Sequence, residues 1–265
     1  MISPLASIHP NAKLGNNVTV EPFAVIHDNV IIGDGSHIMS HSVLMPFTRL
    51  GRNCQIFPGA VIGGVPQDLK FVGEETTTEI GDNTTIRECV TINRGTKDKW
   101  KTVIGSNCLL MAYSHVAHDC IIGNNVILAN SVQLAGHVEV GDYAIISGLA
   151  GANQFTRIGA HTYIAGHTVV RKDVPPFVKA GREPMSYAGV NIVGLQRRNF
   201  KPEQIEAISN IYHILFVQKH PTSAALQMIE EQVADSELKN IILQFVKESK
   251  IGIIKRLSKN SVDEN

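Results

Sequence analysis

The sequence has no excess of charge of either sign: its 265 residues include 24 Lys and Arg against 24 Asp and Glu. That balance excludes the broad positive field by which chains hold nucleic acid or a polybasic stretch holds a membrane surface. No apolar run approaches the roughly 18 residues of a spanning helix, so no stable membrane insertion is expected. The opening MISPLASIHP lacks a basic segment followed by an apolar one, and no secretory leader is expected. Cysteine is scarce. Cys54, Cys89, Cys108 and Cys120 form no CxxC pair, which fits small buried core residues in a reducing cytoplasm. There is also no GxSxG elbow to mark a serine nucleophile. The proportions of apolar (43%) and charged (18%) residues are those of a folded soluble chain.

Repetition is what the sequence does have. Stepping by six from Ile8 to Val170 gives 28 positions, of which 24 are Ile, Leu or Val. The exceptions are Asp68, Glu74, Asp98 and Ala152. Gly follows the aliphatic residue at Gly15, Gly33, Gly51, Gly105, Gly123, Gly141 and Gly159, marking a longer period of 18. Three hexads make one coil with three short flat faces. Gly and Asn at the corners, as in Gly33-Asp34-Gly35 and Gly123-Asn124-Asn125, tolerate the backbone angles of a sharp bend. The aliphatic residue of each hexad points inward, and successive coils pair as parallel strands about 4.8 Å apart. An amphipathic α-helix needs a period near 3.6 and does not fit. Residues 64–75 and 96–101 leave the pattern as polar loops, and loops on a rigid scaffold often carry function.

Residues 1–176 are therefore read as a parallel β-helix closed by Pro175-Pro176, 177–189 as a linker, and 190–265 as a small helical domain. In the last, Pro202 suits a first helical turn, with Ile205, Ile208, Ile211, Ile214 and Leu215 on one face. Thr222 or Ser223 is expected to cap a second helix over Leu226, Ile229 and Val233. Asp235 or Ser236 would cap a third, over Leu238, Ile241, Ile242, Phe245 and Val246. The tail after about Ser258 is expected to fray. Half of the basic residues (12 of 24) lie beyond Pro176. Lys219, Lys239, Lys247, Lys250, Lys255 and Arg256 present either a solvated helix face or a docking face for an acidic protein.

Reactive side chains concentrate in 109–161. His118, Gly136 and Gln154 are spaced 18 and 18, so they stack at one lateral position on three coils. Asp119, His137 and Phe155 form the neighbouring column. A histidine base and a glycine N–H side by side are what acyl transfer to an alcohol requires: one accepts the hydroxyl proton, the other meets the developing oxyanion. The competing reading is a metal site of His115, His118 and His137. The surface-histidine reading also stands, since the chain has 11 histidines.

Several motifs resemble one family. Pro66-Gln67-Asp68-Leu69-Lys70-Phe71, the run Ile86 to Thr96 (IRECVTINRGT), His115-Val116-Ala117-His118-Asp119-Cys120, Leu134-Ala135-Gly136-His137 and Gly189 to Arg198 (GVNIVGLQRR) are similar to the UDP-N-acetylglucosamine O-acyltransferases. These enzymes open lipid A synthesis. The likeness spans nearly the whole chain. It implies a left-handed β-helix, an exception to the right-handed crossover preference. It also implies a cytoplasmic homotrimer with sites between subunits, no cofactor, and an acyl group delivered by acyl carrier protein. His118 would be the base for the glucosamine 3-hydroxyl, with Asp119 helping to hold it, although neighbouring strand residues usually diverge. Gly136 N–H would stabilise the oxyanion. Asp68, Lys70, His115 and Gln154 would hold the sugar nucleotide. Asn191, Arg197 and Arg198 would serve diphosphate or carrier-arm phosphate. His137 and His161 would lie near the acyl groove, and Gly166, at the family's acyl-chain ruler position, implies a long groove.

The sequence departs from the family at three places. Asn93 and Asn153 stand where many relatives have His, and Val193 where Glu is common. Asn93 and Asn153 still offer hydrogen bonds to substrate; Val193 offers none. Two acceptors therefore stay open, N-acetylglucosamine and a 3-amino analogue, both as UDP-sugars. Two other readings compete. One is the related N-acyltransferase, which carries an extra N-terminal domain, whereas the hexads here begin by Ile8. The other is a catalytically silent β-helix scaffold.

Overall fold

The computed structural model describes residues 1–256. The expected fraying after Ser258 lies outside the described residues. Two- to five-residue strands stack into three sheets of nine, eight and ten strands, parallel throughout except for the last strand of the third, and together they form a left-handed β-helix. The first face runs from Ser7–Ile8 to Val169–Val170, the second from Lys13–Leu14 to Arg157–Ile158, and the third from Thr19–Val20 upward. Register is set at 18 residues: Leu109 pairs with Ile127, and Ile127 with Ile145.

Two inward rows fill the prism. The aliphatic row is almost wholly buried from Val20 to Val170, each side chain contributing about 1.5–3 kcal/mol by leaving water. A second row sits two residues earlier in each hexad and holds small side chains such as Ala24, Ser36, Cys54, Cys108, Cys120, Ala144 and Thr162. These fit the narrow corners. Three of the four cysteines thus have the buried role expected of them. Cys89 does not: it is exposed at a corner.

The corners bend through one left-handed residue per turn, and glycine is the minority there. Asn17, Asn29, His41, Asn53, Tyr113, Asp119, His137, Phe155 and His161 all have φ between 52° and 66°. Gly33 does something else. A Cβ there would sit 2.5 Å from the Gly51 carbonyl carbon, so its job is close approach between coils.

The coil runs past the two prolines. Val178–Gly181 joins the third face beside Tyr163–Ile164 and pairs antiparallel with Ser186–Val190. The expected linker is therefore largely a hairpin. Four α-helices follow: α1 (Ile192–Arg197), α2 (Pro202–Tyr212, extended by a π-turn to Val217), α3 (Thr222–Gln232) and α4 (Glu237–Lys247). Pro202 opens α2 as expected. Thr222 is not a cap but the first residue of α3, after Pro221, and no side chain caps that helix. Ser236 does cap α4, accepting from Lys239 N at 3.2 Å. Ile241, expected inside, is 38% exposed and borders a groove with Phe245 against the second face. Lys239, expected on a docking surface, is only 6% exposed. Its Nζ donates to the carbonyls of Glu230 and Val233, ending α3.

Candidate active site

Both polar loops leave the coil at the same edge, between the first and second faces. One joins Val61–Gly64 to Thr77–Ile80, the other Thr91–Asn93 to Lys101–Ile104. The next turn of that edge carries His118 and Asp119. The 18-residue columns hold: His137 N donates to His118 O at 3.0 Å, and Phe155 N to Gly136 O at 3.2 Å. His137 stacks on Phe155 with centroids 4.5 Å apart.

His118 and Asp119 do not diverge as strand neighbours would. Asp119 sits at the corner with φ 60°, which folds its carboxylate back. His118 Nδ1 lies 2.8 Å from Asp119 Oδ2, which assigns the proton to Nδ1 and leaves Nε2 as the basic nitrogen. His118 is 5% exposed and Asp119 not at all, which settles against a surface histidine. Burial pushes the Asp119 carboxyl upward, but hydrogen bonds from Thr96, His118 and Lys99 N outweigh it and hold it below the usual range. Nε2 faces Gly136: a Cβ built there would lie 2.7 Å from both Nε2 and Cε1. Only a glycine leaves room between the imidazole and that backbone.

Two partners of this dyad escaped sequence reasoning. Thr96 donates to Asp119 through both its N–H, at 2.9 Å, and its hydroxyl, at 2.7 Å. Lys99 N adds a third bond at 3.2 Å. The loop insertion breaks the period, so no spacing rule connects 96 with 119. Cys120 follows the dyad but is no nucleophile, because burial pushes its thiol up to about 12.

His118, Asp119 and His137 bring donor atoms within 4.8 Å of one another, a different trio from the His115, His118 and His137 weighed on sequence. They suit a metal poorly. Each Asp119 oxygen already accepts two hydrogen bonds, and His118 turns Nδ1 to Asp119. His115 is engaged elsewhere, its Nδ1 2.7 Å from Thr91 Oγ1. Burial first, then His118, lowers its imidazole below the ordinary value.

Asp68 and Lys70 from the first loop and Thr96 and Asp98 from the second meet His137 and Phe155 around a cavity of about 240 Å³. His137 Nδ1 lies 3.1 Å from Asp98 Oδ2 but forms no aligned hydrogen bond. Burial holds the His137 imidazole below its ordinary value. Asn93 is buried beside the first loop with an unpartnered Oδ1. Gln154 and Asn153 are exposed at the same edge.

The remaining site residues lie on other edges. His161 is at the edge between the second and third faces, stacked between Tyr143 (4.9 Å) and Phe177 (5.6 Å). Burial, reinforced by Arg198, takes it down to about 4. Asn191 donates to His161 O at 2.9 Å and Arg198 to Tyr143 O at 2.9 Å, while Arg197 and Val193 are exposed. Gly166 is at the third edge, where a Cβ would come 3.0 Å from Gly148 O. One chain thus does not unite His161 with His137; their spacing of 24 is not a multiple of the coil period.

A three-faced parallel β-helix built on a six-residue repeat places the chain among the bacterial hexapeptide-repeat transferases. Family models agree: "Bacterial transferase hexapeptide (six repeats)" matches 29–64 and 101–136, and "Udp N-acetylglucosamine O-acyltransferase; Domain 2" matches 173–254. The chain is 43% identical over 248 residues to the acyl-[acyl-carrier-protein]–UDP-N-acetylglucosamine O-acyltransferase of Xylella fastidiosa, covering 93% of this chain and 94% of that one. The crystal structure of the UDP-N-acetylglucosamine acyltransferase from Bacteroides fragilis superposes with a TM-score of 0.95 at 50% identity, covering 96% and 100%. That from Francisella novicida gives 0.95 at 37%, covering 100% and 97%. The chain belongs to the acyl-[acyl-carrier-protein]–UDP-N-acetylglucosamine O-acyltransferase family.

Proposed function

We propose that this protein transfers a 3-hydroxyacyl or acyl group from acyl carrier protein to the glucosamine 3-hydroxyl of UDP-N-acetylglucosamine, opening lipid A synthesis in the cytoplasm. The observation that carries the reading is the buried His118–Asp119 dyad with Nε2 turned toward Gly136. Nε2 takes the hydroxyl proton as the oxygen attacks the thioester carbonyl. Gly136 N–H, which donates to no backbone carbonyl among the described residues, meets the oxyanion. The C–S bond breaks, and the imidazolium returns its proton to the departing pantetheine thiolate. No cofactor enters these steps.

The working form is a homotrimer. A cavity of about 240 Å³ is small beside the roughly 300–1,000 Å³ of a ligand site. The phosphate-binding candidates Asn191, Arg197 and Arg198 are one edge away from His118. A neighbouring chain supplies that edge. Asp68, Lys70, Asn93, His115 and Gln154 hold the sugar nucleotide, while His137, His161 and Gly166 border the acyl groove. No helix among the described residues is long and apolar enough to cross a membrane, and substrate is met from solution.

The test is product mass from purified protein given UDP-N-acetylglucosamine, or its 3-amino analogue, with a panel of 3-hydroxyacyl carrier proteins. His118→Ala is run beside it. An O-acylated sugar from wild type, reduced at least about 10³-fold in the variant, supports the reading. Product only with the amino sugar redirects the acceptor. No product from a folded trimer overturns it.

A further inference from the structure

We propose that the Thr96 hydroxyl is a positioning group that reserves Asp119 Oδ2 for His118 and denies it to His137. The inference rests on the catalytic reading of His118 given above, and it adds a residue and a purpose that the dyad alone does not contain.

Two imidazoles face one carboxylate oxygen. His118 Nδ1 is 2.8 Å from Asp119 Oδ2, and His137 Nε2 is 3.8 Å from the same atom. The rings stand edge to face with centroids 5.1 Å apart. A carboxylate oxygen has two lone-pair directions. On Oδ2 one is used by His118 and the other by Thr96 Oγ1 at 2.7 Å. The opposite oxygen is closed as well, by the N–H groups of Thr96 and Lys99. The carboxylate therefore cannot rotate, and no acceptor direction is left for His137. Without the hydroxyl, the vacated direction lies open to a second imidazole just beyond hydrogen-bond range. A shift of less than about 1 Å closes that gap to the ordinary hydrogen-bond length.

Capture by His137 would do two things. It would draw Asp119 partly away from the imidazole that must keep its proton on Nδ1. It would also favour the charged form of His137, which now stands below its ordinary value through burial. The charged groups facing His137 are Asp119 and His118 on its own edge, and Asp98 and Lys99 on the second loop. Lys70, Asp68 and Glu74 on the first loop and Lys97 on the second line the same cavity. The Thr96 hydroxyl also accepts from Asp98 N at 3.3 Å, and Asp98 lies 3.1 Å from His137. The His137 titration is therefore also read in an Asp98→Asn background, where that carboxylate is gone and a change at His137 reports on Oδ2.

The experiment compares wild type, Thr96→Val and Thr96→Ser as full-length protein. Steady-state kinetics are measured with both substrates, and the ring carbons of His118 and His137 are followed by NMR against pH. Should Thr96→Val not fold, Thr96→Ala takes its place. The expected result for Thr96→Val is a kcat lower by about tenfold, the scale of one lost hydrogen bond to a charged group, with both KM values within about twofold. The His137 midpoint moves up, and Thr96→Ser restores both. An unmoved His137 midpoint in a folded hydroxyl-free variant overturns the inference, since loss of packing alone would lower stability and rate without touching it. So does failure of serine to rescue. If wild-type protein makes no acylated UDP-sugar, the catalytic reading fails by itself, and the His137 titration still decides whether Thr96 reserves Oδ2.

Discussion

At the residue scale, room matters as much as chemistry. Gly136 does not need a left-handed backbone; it needs to have no side chain. Gly136→Ala would place a methyl 2.7 Å from His118 Nε2, so the ring must turn away from both nucleophile and oxyanion donor. The expected loss in kcat is on the order of 10²–10³, comparable to removing an oxyanion donor, with the melting temperature nearly unchanged. A steady-state assay beside a thermal melt checks both halves. His161 makes a different expectation. Its imidazole titrates near about 4 because burial, then Arg198, disfavours the charged form, against an ordinary value of about 6.5 in the unfolded chain. Between those values the unfolded chain binds a proton that the folded chain refuses. The stabilisation is whole above about pH 6.5 and is lost as pH falls toward about 4, at no more than ~1.4 kcal/mol per pH unit. His161→Phe keeps the stack, and Phe23, Phe155 and Phe177 already adopt the same positive φ. Urea unfolding at pH 7 and pH 5 should show a smaller difference for the variant than for wild type. An equal difference would mean that His161 does not set the acid limb.

At the scale of elements, the helical tail is held by its ends. Lys239 belongs to α4 but completes α3, because its ammonium takes two carbonyls left over at that helix's C-terminus. Lys239→Met should cost about 1–3 kcal/mol by leaving those acceptors without a donor, and should leave carrier-protein affinity unchanged. Lys219 and Lys250 are exposed. If the tail is a docking face, replacing both by Ala lowers carrier affinity more at low salt than at high salt, with stability unaffected. Denaturant melts and a salt series of carrier titrations separate the two classes. A Lys239→Met protein of normal stability would contradict the capping role.

On the scale of the whole molecule, the prism distributes the candidate site over its edges. His118, Gly136 and both loops share one edge; His161, Asn191 and Arg198 share the next. If one site draws on both, the two groups come from different chains. Mixed trimers of His118→Ala and Arg198→Ala chains, co-refolded from inactive parents, should then recover activity, because some interfaces contain neither change. Mixtures no more active than their parents would place both groups in one chain's site and remove the main argument for an interfacial active site.

Much of this was legible in the sequence because a coil repeats. A strict six-residue period fixes which side chains face inward, and a period of 18 fixes which stack, so His118, Gly136 and Gln154 could be placed in one column without coordinates. Only the structure parted His161 from His137, which the family resemblance puts together at the acyl groove; they lie on different edges of one chain. What the period could not carry was whatever breaks it. The loop at 94–100 returns Thr96 to Asp119 across 23 residues, and no repeat predicts that contact. The left-handed corner residue reverses the strand rule that neighbours diverge, which is why Asp119 reaches His118. Lys239 reads as surface charge in one dimension and becomes buried only when α3 ends beside it. Local periodicity determined the coil and the columns; tertiary structure decided the pairings, because a hydrogen bond depends on where two segments meet and not on how far apart they lie along the chain.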